Sequence, residues 1–329
     1  MNYFRKRLLF TFSVFVFFAV NCAAAPSKKA PAWLTDDPHL IYSENEYLTA
    51  IGEGNSDSLA RDDALNKLSQ YFDTKVHSEG LAIRATNDSS FSSSSLQTVS
   101  VESEADLFCV NFTDSFFDKK NAKYFILAYI NKKEAAEIYR SKIEALLSSI
   151  TQNQKNARNE REVFFKALLL RKSAEFCKSA EKYIQYETAL IHDDVEKYKP
   201  ALVDMTKIFS ELDSLKPQLT FSITMNQKEK VFNPVFSTLA EALEKQGFSY
   251  SVNDSMYRII ADISCEEEVY ETGPFVRPSL DVLIVNKNGE GLYTYSKAYG
   301  RTGAKTMEQA YTRSVSKITK DLAENFMTE

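Results

Sequence analysis

The chain has 329 residues, of which 44% are hydrophobic and 12% aromatic, and a formal net charge of -5. That much apolar material fills cores and argues against disorder, and the length allows two or three compact domains. With 45 acidic against 40 basic residues the balance argues against a nucleic-acid partner, because binding phosphate backbones depends on clustered lysine and arginine.

Arg5, Lys6 and Arg7 precede an apolar or hydroxyl run from Leu8 to Val20, the layout of a secretory signal over residues 1–21. Losing it removes three positive charges, so the net charge becomes -5 - 3 = -8. Cys22 follows in "AVNCAAAP", where a bacterial lipoprotein signal places the cysteine that becomes the lipidated first residue. Ordinary cleavage near Ala24 is the alternative. Residues 22–32, small and carrying Lys28 and Lys29, read as a tether, and a lipid on Cys22 would anchor the protein without embedding it. Cys109, Cys177 and Cys265 are scattered, without C-x-x-C spacing, and His39, His77 and His192 are the only histidines. Neither a metal site nor a disulfide framework is expected, and Cys109 reads as a small buried strand residue.

A first domain is expected over residues 33–140. "YLTAIGEG" alternates as a strand, Ser56 or Ser58 caps a following helix, and Ala64, Leu65, Leu68, Tyr71, Phe72 and Val76 form its apolar face. "TNDSSFSSSSLQTVS" is a polar hairpin tip, after which "LFCVNF" and "KYFILAYI" read as strands. Residues 141–216 contain neither the alternation of strands nor a glycine, and their apolar stripes point to a helical hairpin or three-helix insert with Pro200 at a boundary or kink. Deleting that insert is expected to leave both end domains folded. The last domain, 217–329, opens with the strand "QLTFSITM". A helix follows, capped by Asn233, with Pro234 at its first position and Gly247 at its exit. Further strands turn at Asn288-Gly289, and a helix from about Ala304 to Phe326 closes the chain. The fold class is therefore α+β: two small domains, each with helices on a mainly antiparallel sheet, joined by the helical insert.

Chemistry is harder to find. Gly52 and Gly54 resemble the start of a dinucleotide turn, but Asp57 stands at the third glycine position and Glu53 puts a carboxylate where a pyrophosphate would lie. The pair is read as a structural turn, with glycine supplying positive φ between strand and helix. The adjacent acids Asp36-Asp37, Asp62-Asp63, Asp193-Asp194 and Glu266 to Glu268 point in different directions on any regular element, so none forms an acid/base pair by spacing. No G-x-S-x-G, H-E-x-x-H or Walker loop occurs. No catalytic, cofactor-binding or metal residues are assigned, and the chain is expected not to be an enzyme.

"PAWL", "YLTAIGEGNSDSLARDDALNKLSQYFDTKVHS" and "FFDKKNAKYFILAYINKKEA" together resemble the LPP-twenty family of bacterial envelope lipoproteins, with Phe116-Phe117 where that family often has tryptophan. "FSTLAEALEKQGFSYSV" and "YRIIADIS" more weakly resemble the α+β modules of curli-secretion, penicillin-binding-protein-activator and TolB amino-terminal proteins. These resemblances imply a scaffold or adaptor in envelope or flagellar assembly, secreted across the inner membrane to the periplasm or outer membrane, with envelope proteins as partners and palmitate-type lipidation at Cys22. The alternative is a peptidoglycan- or small-ligand-binding module, which calls for a concave pocket lined by aromatic residues.

Overall fold

The protein's computed structural model describes residues 29–36, 38–86, 107–192, 195–226 and 230–327. The expected signal, Cys22, most of the tether and the serine-rich hairpin tip lie outside them. The fold is α+β.

A short helix, α1 (Ala32–Thr35), buries Trp33, the only tryptophan of the chain. β1 (Tyr47–Gly54) pairs antiparallel with β4 (Lys123–Asn131) along its whole length, while β2 (Val110–Phe112) and β3 (Phe116–Asp118) share the other side of β4. α2 (Asp57–Thr86) lies on this sheet. It buries Ala60, Ala64, Leu68, Phe72 and Val76, an every-fourth ladder, each at 1% exposure or less. Leu65 and Tyr71, expected on the same face, are exposed, because a one-residue offset turns each about 100° away from the ladder. Cys109 departs from expectation too: it is half-buried and precedes β2 with φ 59°, so it turns the chain into the strand and is not part of it.

Three long helices follow: α3 (Lys132–Asn159), α4 (Val163–Leu190) and α5 (Val195–Leu215). The side chain of Asn131 accepts from the amides of Lys133 and Glu134, which starts α3 directly at the end of β4. Glu160 turns the chain between α3 and α4, its Oε1 accepting from the amides of Arg161 (2.8 Å) and Glu162 (2.9 Å). Pro200 falls inside α5.

The second sheet is mixed. β5 (Thr220–Asn226) runs parallel to β6 (Ser249–Tyr250) and β7 (Tyr257–Tyr270), with α6 (Asn233–Lys245) as the crossover. β8 (Gly273–Asn286) pairs antiparallel with β7, β9 (Gly291–Ala298) and β10 (Thr302–Gly303), and α7 (Met307–Asn325) closes the unit. Asn233 is the first residue of α6, so the cap position belongs to Phe232, one residue earlier than expected. At the exit, Gly247 takes φ 82°; its amide donates to Glu244 O and that of Phe248 to Leu243 O, a Schellman closure. Gly289, also at φ 82°, is the left-handed residue of the β8–β9 turn, in which Asn286 and Glu290 pair across a three-residue loop. Along β7 and β8, Tyr257, Ile259, Ala261, Leu280, Val282 and Ile284 are buried, while Arg258, Asp262, Ser264 and Asp281 alternate to solvent.

Two hydrophobic cores result, and α3 and α4 belong to both. The first joins Leu48, Phe72, Ile126 and Ile130 to Tyr139 of α3 and to Tyr186, Ala189 and Leu190 of α4. The second takes Ile143 and Ile150 of α3, and Phe164, Leu170 and Ile184 of α4, together with α5 and the mixed sheet. Tyr183 packs against both. Helices of this length span about 42 Å at 1.5 Å per residue, enough to reach from one core to the other.

Candidate functional site

The Gly-x-Gly motif sits at the junction of β1 and α2. Gly52 and Gly54 lie within the strand, and neither has positive φ, so the expected turn role does not hold. Their function is clearance. A Cβ on Gly52 would come within 2.1 Å of Ala60 O and 2.2 Å of Ala64 N, and one on Gly54 within 2.5 Å of Ala60 N. The helix starts after Ser56, whose Oγ accepts from the Leu59 amide at 3.2 Å. The amide of Glu53 donates to Asp63 Oδ2 (2.8 Å), and Lys67 Nζ donates to Ile51 O (3.2 Å), so α2 side chains occupy the free edge of β1. The Lys67 ammonium and the Glu53 amide hold the Asp63 carboxyl below the usual carboxylate range. With the Glu53 amide spent on Asp63 and the Glu53 carboxylate on Lys123 at 2.7 Å, this turn cannot cradle a phosphate.

Two acids that no motif flagged are buried among cations and hydroxyls. Glu187, fully buried in α4, accepts from Arg140 of α3 (2.9 and 3.0 Å) and from Lys197 (2.9 Å) and Tyr198 of α5. Asp321 of α7 accepts from Tyr295, Lys297, Tyr299 (2.8 Å) and Asn325 (2.8 Å). Burial pushes the Asp321 carboxyl up, but hydrogen bonds from Lys297 and the two tyrosines outweigh it and hold the carboxyl down at about 2. Burial raises both tyrosines, reinforced by that carboxylate. A general base needs a lone pair within reach of substrate, and these carboxylates are engaged by their neighbours. In the sequence, Glu187 shows only as a charge in an otherwise uncharged stretch, and Asp321, between Lys320 and Glu324, does not stand out from the charges around it. Cys177, 2% exposed, has its thiol pushed up to about 12 by burial and is no thiolate nucleophile.

Concave surface occurs elsewhere. A cleft of about 590 Å³ lies between α4, the end of α6 and Met327; Phe165, Leu168 and Leu169 line it with Arg171, Lys172 and Glu175. Desolvation destabilises the charge on the Arg171 guanidinium, Glu175 partly compensates, and its Nε is buried without a hydrogen-bond partner. A smaller pocket of about 260 Å³ lies where α2, the β4–α3 junction and the end of α4 meet. The aromatic residues that line these two are Phe165 and Tyr71 respectively, so neither has the aromatic lining a ligand-binding module was expected to show. The bulk of Phe72, Tyr139, Phe164, Tyr186, Phe221 and Phe232 is spent in the cores. Among the described residues, no cluster of three or more histidine, cysteine or acidic side chains could hold a metal, and no helix is long and apolar enough to cross a membrane.

No family model matches the sequence, and no characterised protein matches it. Among solved structures, a secreted protein from Helicobacter pylori superposes with a TM-score of 0.39 at 13% identity, over 86% of this chain and 99% of that chain. A minor lipoprotein from Acinetobacter baumannii superposes with a TM-score of 0.23 at 14% identity, over 33% of this chain and 92% of that one. Neither superposition is close enough to support an inference about this chain.

Proposed function

We propose that the protein is a non-catalytic component of the bacterial cell envelope, anchored through a lipid on Cys22 and acting as a scaffold or adaptor in envelope or flagellar assembly. The observation that carries this is the α3–α4 pair, which holds two α+β units at a set separation by contributing residues to both cores. A strut of this kind suits a protein that positions partners. The engagement of its buried carboxylates in ion pairs and hydrogen bonds agrees with a structural use of charge. The LPP-twenty resemblance of residues 33–140 supports the envelope setting. The cleft at Arg171 favours one second reading, a periplasmic module that binds a small ligand or a peptidoglycan fragment.

Metabolic labelling with palmitate, in wild type and in Cys22→Ser, tests the anchor, and crosslinking of the full chain in the intact envelope tests the adaptor role. Label lost in Cys22→Ser, together with an envelope protein recovered in fixed ratio, is the expected result. A wild-type chain that takes up no label and fractionates with the cytoplasm sinks the proposal.

A further inference from the structure

The 260 Å³ pocket stands apart from the contacts that an adaptor role would use. Its electrostatics are unbalanced. Lys132, at the start of α3, is 8% exposed, and its Nζ spends one proton on Glu44 O at 2.7 Å, leaving two for a ligand. Lys75 of α2 lines the same pocket, and His192 lies at its rim. Burial first, and then repulsion from Lys75, makes the Lys132 ammonium easier to deprotonate; the charge of Glu44 opposes this in part. Thr188 of α4 also lines the pocket; it is 1% exposed, and its hydroxyl is buried with no hydrogen-bond partner. Thr74 and Ser78 also line the pocket, but their hydroxyls donate to Gln70 O and Thr74 O in the helix. Among the described lining residues there is no carboxylate.

Buried charge is tolerated when it is paired, and a buried hydroxyl without a partner costs free energy. Two ammonium groups and an unpartnered hydroxyl around one cavity are what an oxyanion satisfies together: opposite charge for the lysines, an acceptor for the threonine proton. At about 260 Å³ the space exceeds a water's share of about 30 Å³ several-fold and stays below the size of ordinary drug-sized pockets. We propose that this pocket is a binding site for a phosphate group, as the free ion or as a phosphomonoester headgroup, held by Lys75, Lys132 and Thr188. Because the three residues come from α2, the β4–α3 junction and α4, an occupied site would tie the first sheet unit to the helical strut.

The test uses the full folded chain and its Lys75→Met, Lys132→Met and Thr188→Val variants, each checked by circular dichroism, with inorganic phosphate as the probe in calorimetric titration and thermal melts. Wild type is expected to bind phosphate and melt at higher temperature with it. Each lysine variant is expected to bind at least 10-fold more weakly, the loss of about 1.4 kcal/mol that removing one charge-assisted contact brings. Phosphate stabilises proteins generally by exclusion, so only a melting shift greater in wild type than in the variants supports the site. If Lys132→Met does not fold, the half-buried Lys75 and the near-isosteric Thr188→Val still decide the matter. Binding to phosphatidic acid vesicles that free phosphate competes away identifies a lipid source; phosphate binding without vesicle binding identifies the free ion. Absence of phosphate binding by wild type, or equal affinity in all variants, overturns the proposal.

Discussion

Gly52 is glycine because α2 packs so closely on β1 that no other residue leaves room. Gly52→Ala forces a Cβ against backbone atoms of Ala60 and Ala64, which cannot swing aside as a side chain could. The expected cost is about 3 kcal/mol, the upper range for overpacking, read from urea denaturation. Gly300→Ala, with nothing within 4 Å of its Cβ and φ outside the left-handed region, serves as the neutral comparison; equal losses would remove the clearance argument. Asp321 gives a pH signature. Its folded carboxyl sits at about 2, below the usual value near 4 for an unfolded aspartate. As pH falls, the unfolded chain takes up that proton first, so the stabilisation is complete above about pH 4 and is lost as pH drops toward 2. Wild type should lose roughly 2 kcal/mol across that window through this residue, and Asp321→Asn should show a correspondingly flatter profile. Identical slopes would assign the acid sensitivity elsewhere.

At the scale of elements, Glu187 ties α4 to both neighbours. Its carboxylate meets Arg140 on one side and Lys197 and Tyr198 on the other, in a stretch from Gln185 to Leu190 where every residue is buried. Glu187→Gln preserves the shape and removes the charge, leaving two cations facing an amide. Removing one partner of a fully buried pair costs about 3–5 kcal/mol, but Arg140 and Lys197 keep part of their hydration, so about 2 kcal/mol is expected here. Hydrogen exchange should accelerate in α5 before it does in the mixed sheet; uniform protection across both would show that the node does not hold α5. The helices themselves were legible from the scarcity of glycine and proline and from their apolar stripes, whereas this node was not. Forty-six residues separate Arg140 from Glu187, and nothing local links them.

For the whole molecule, sharing α3 and α4 between two cores predicts coupled unfolding. Fluorescence, circular dichroism and calorimetry should report one transition, because α3 and α4 supply buried side chains to both cores and losing these helices unpacks both. The deletion of 141–216 that the sequence suggested would leave the end domains intact removes Tyr186, Ala189 and Leu190 from the first core and Phe164, Leu170 and Ile184 from the second. Such a chain should bind a hydrophobic dye and lose its cooperative transition. Two clean, independent transitions in the full chain would show that the cores are autonomous.

By itself the sequence determined the α+β class and the positions of most strands and helices, because these follow from local signals: alternation, three-and-four spacing, Gly247 at a helix exit and Asn288-Gly289 at a hairpin turn. Leu65 and Tyr71 were misplaced because a periodic stripe is blurred by one residue until the surface it packs on is known. Tertiary structure alone decided why Gly52 must be glycine, which acids are buried, and that Lys75, Lys132 and Thr188 share a pocket. These are contacts between residues far apart in the chain, and the energy that selects them, exclusion of a single Cβ or neutralisation of a buried charge, has no local trace in the residues themselves.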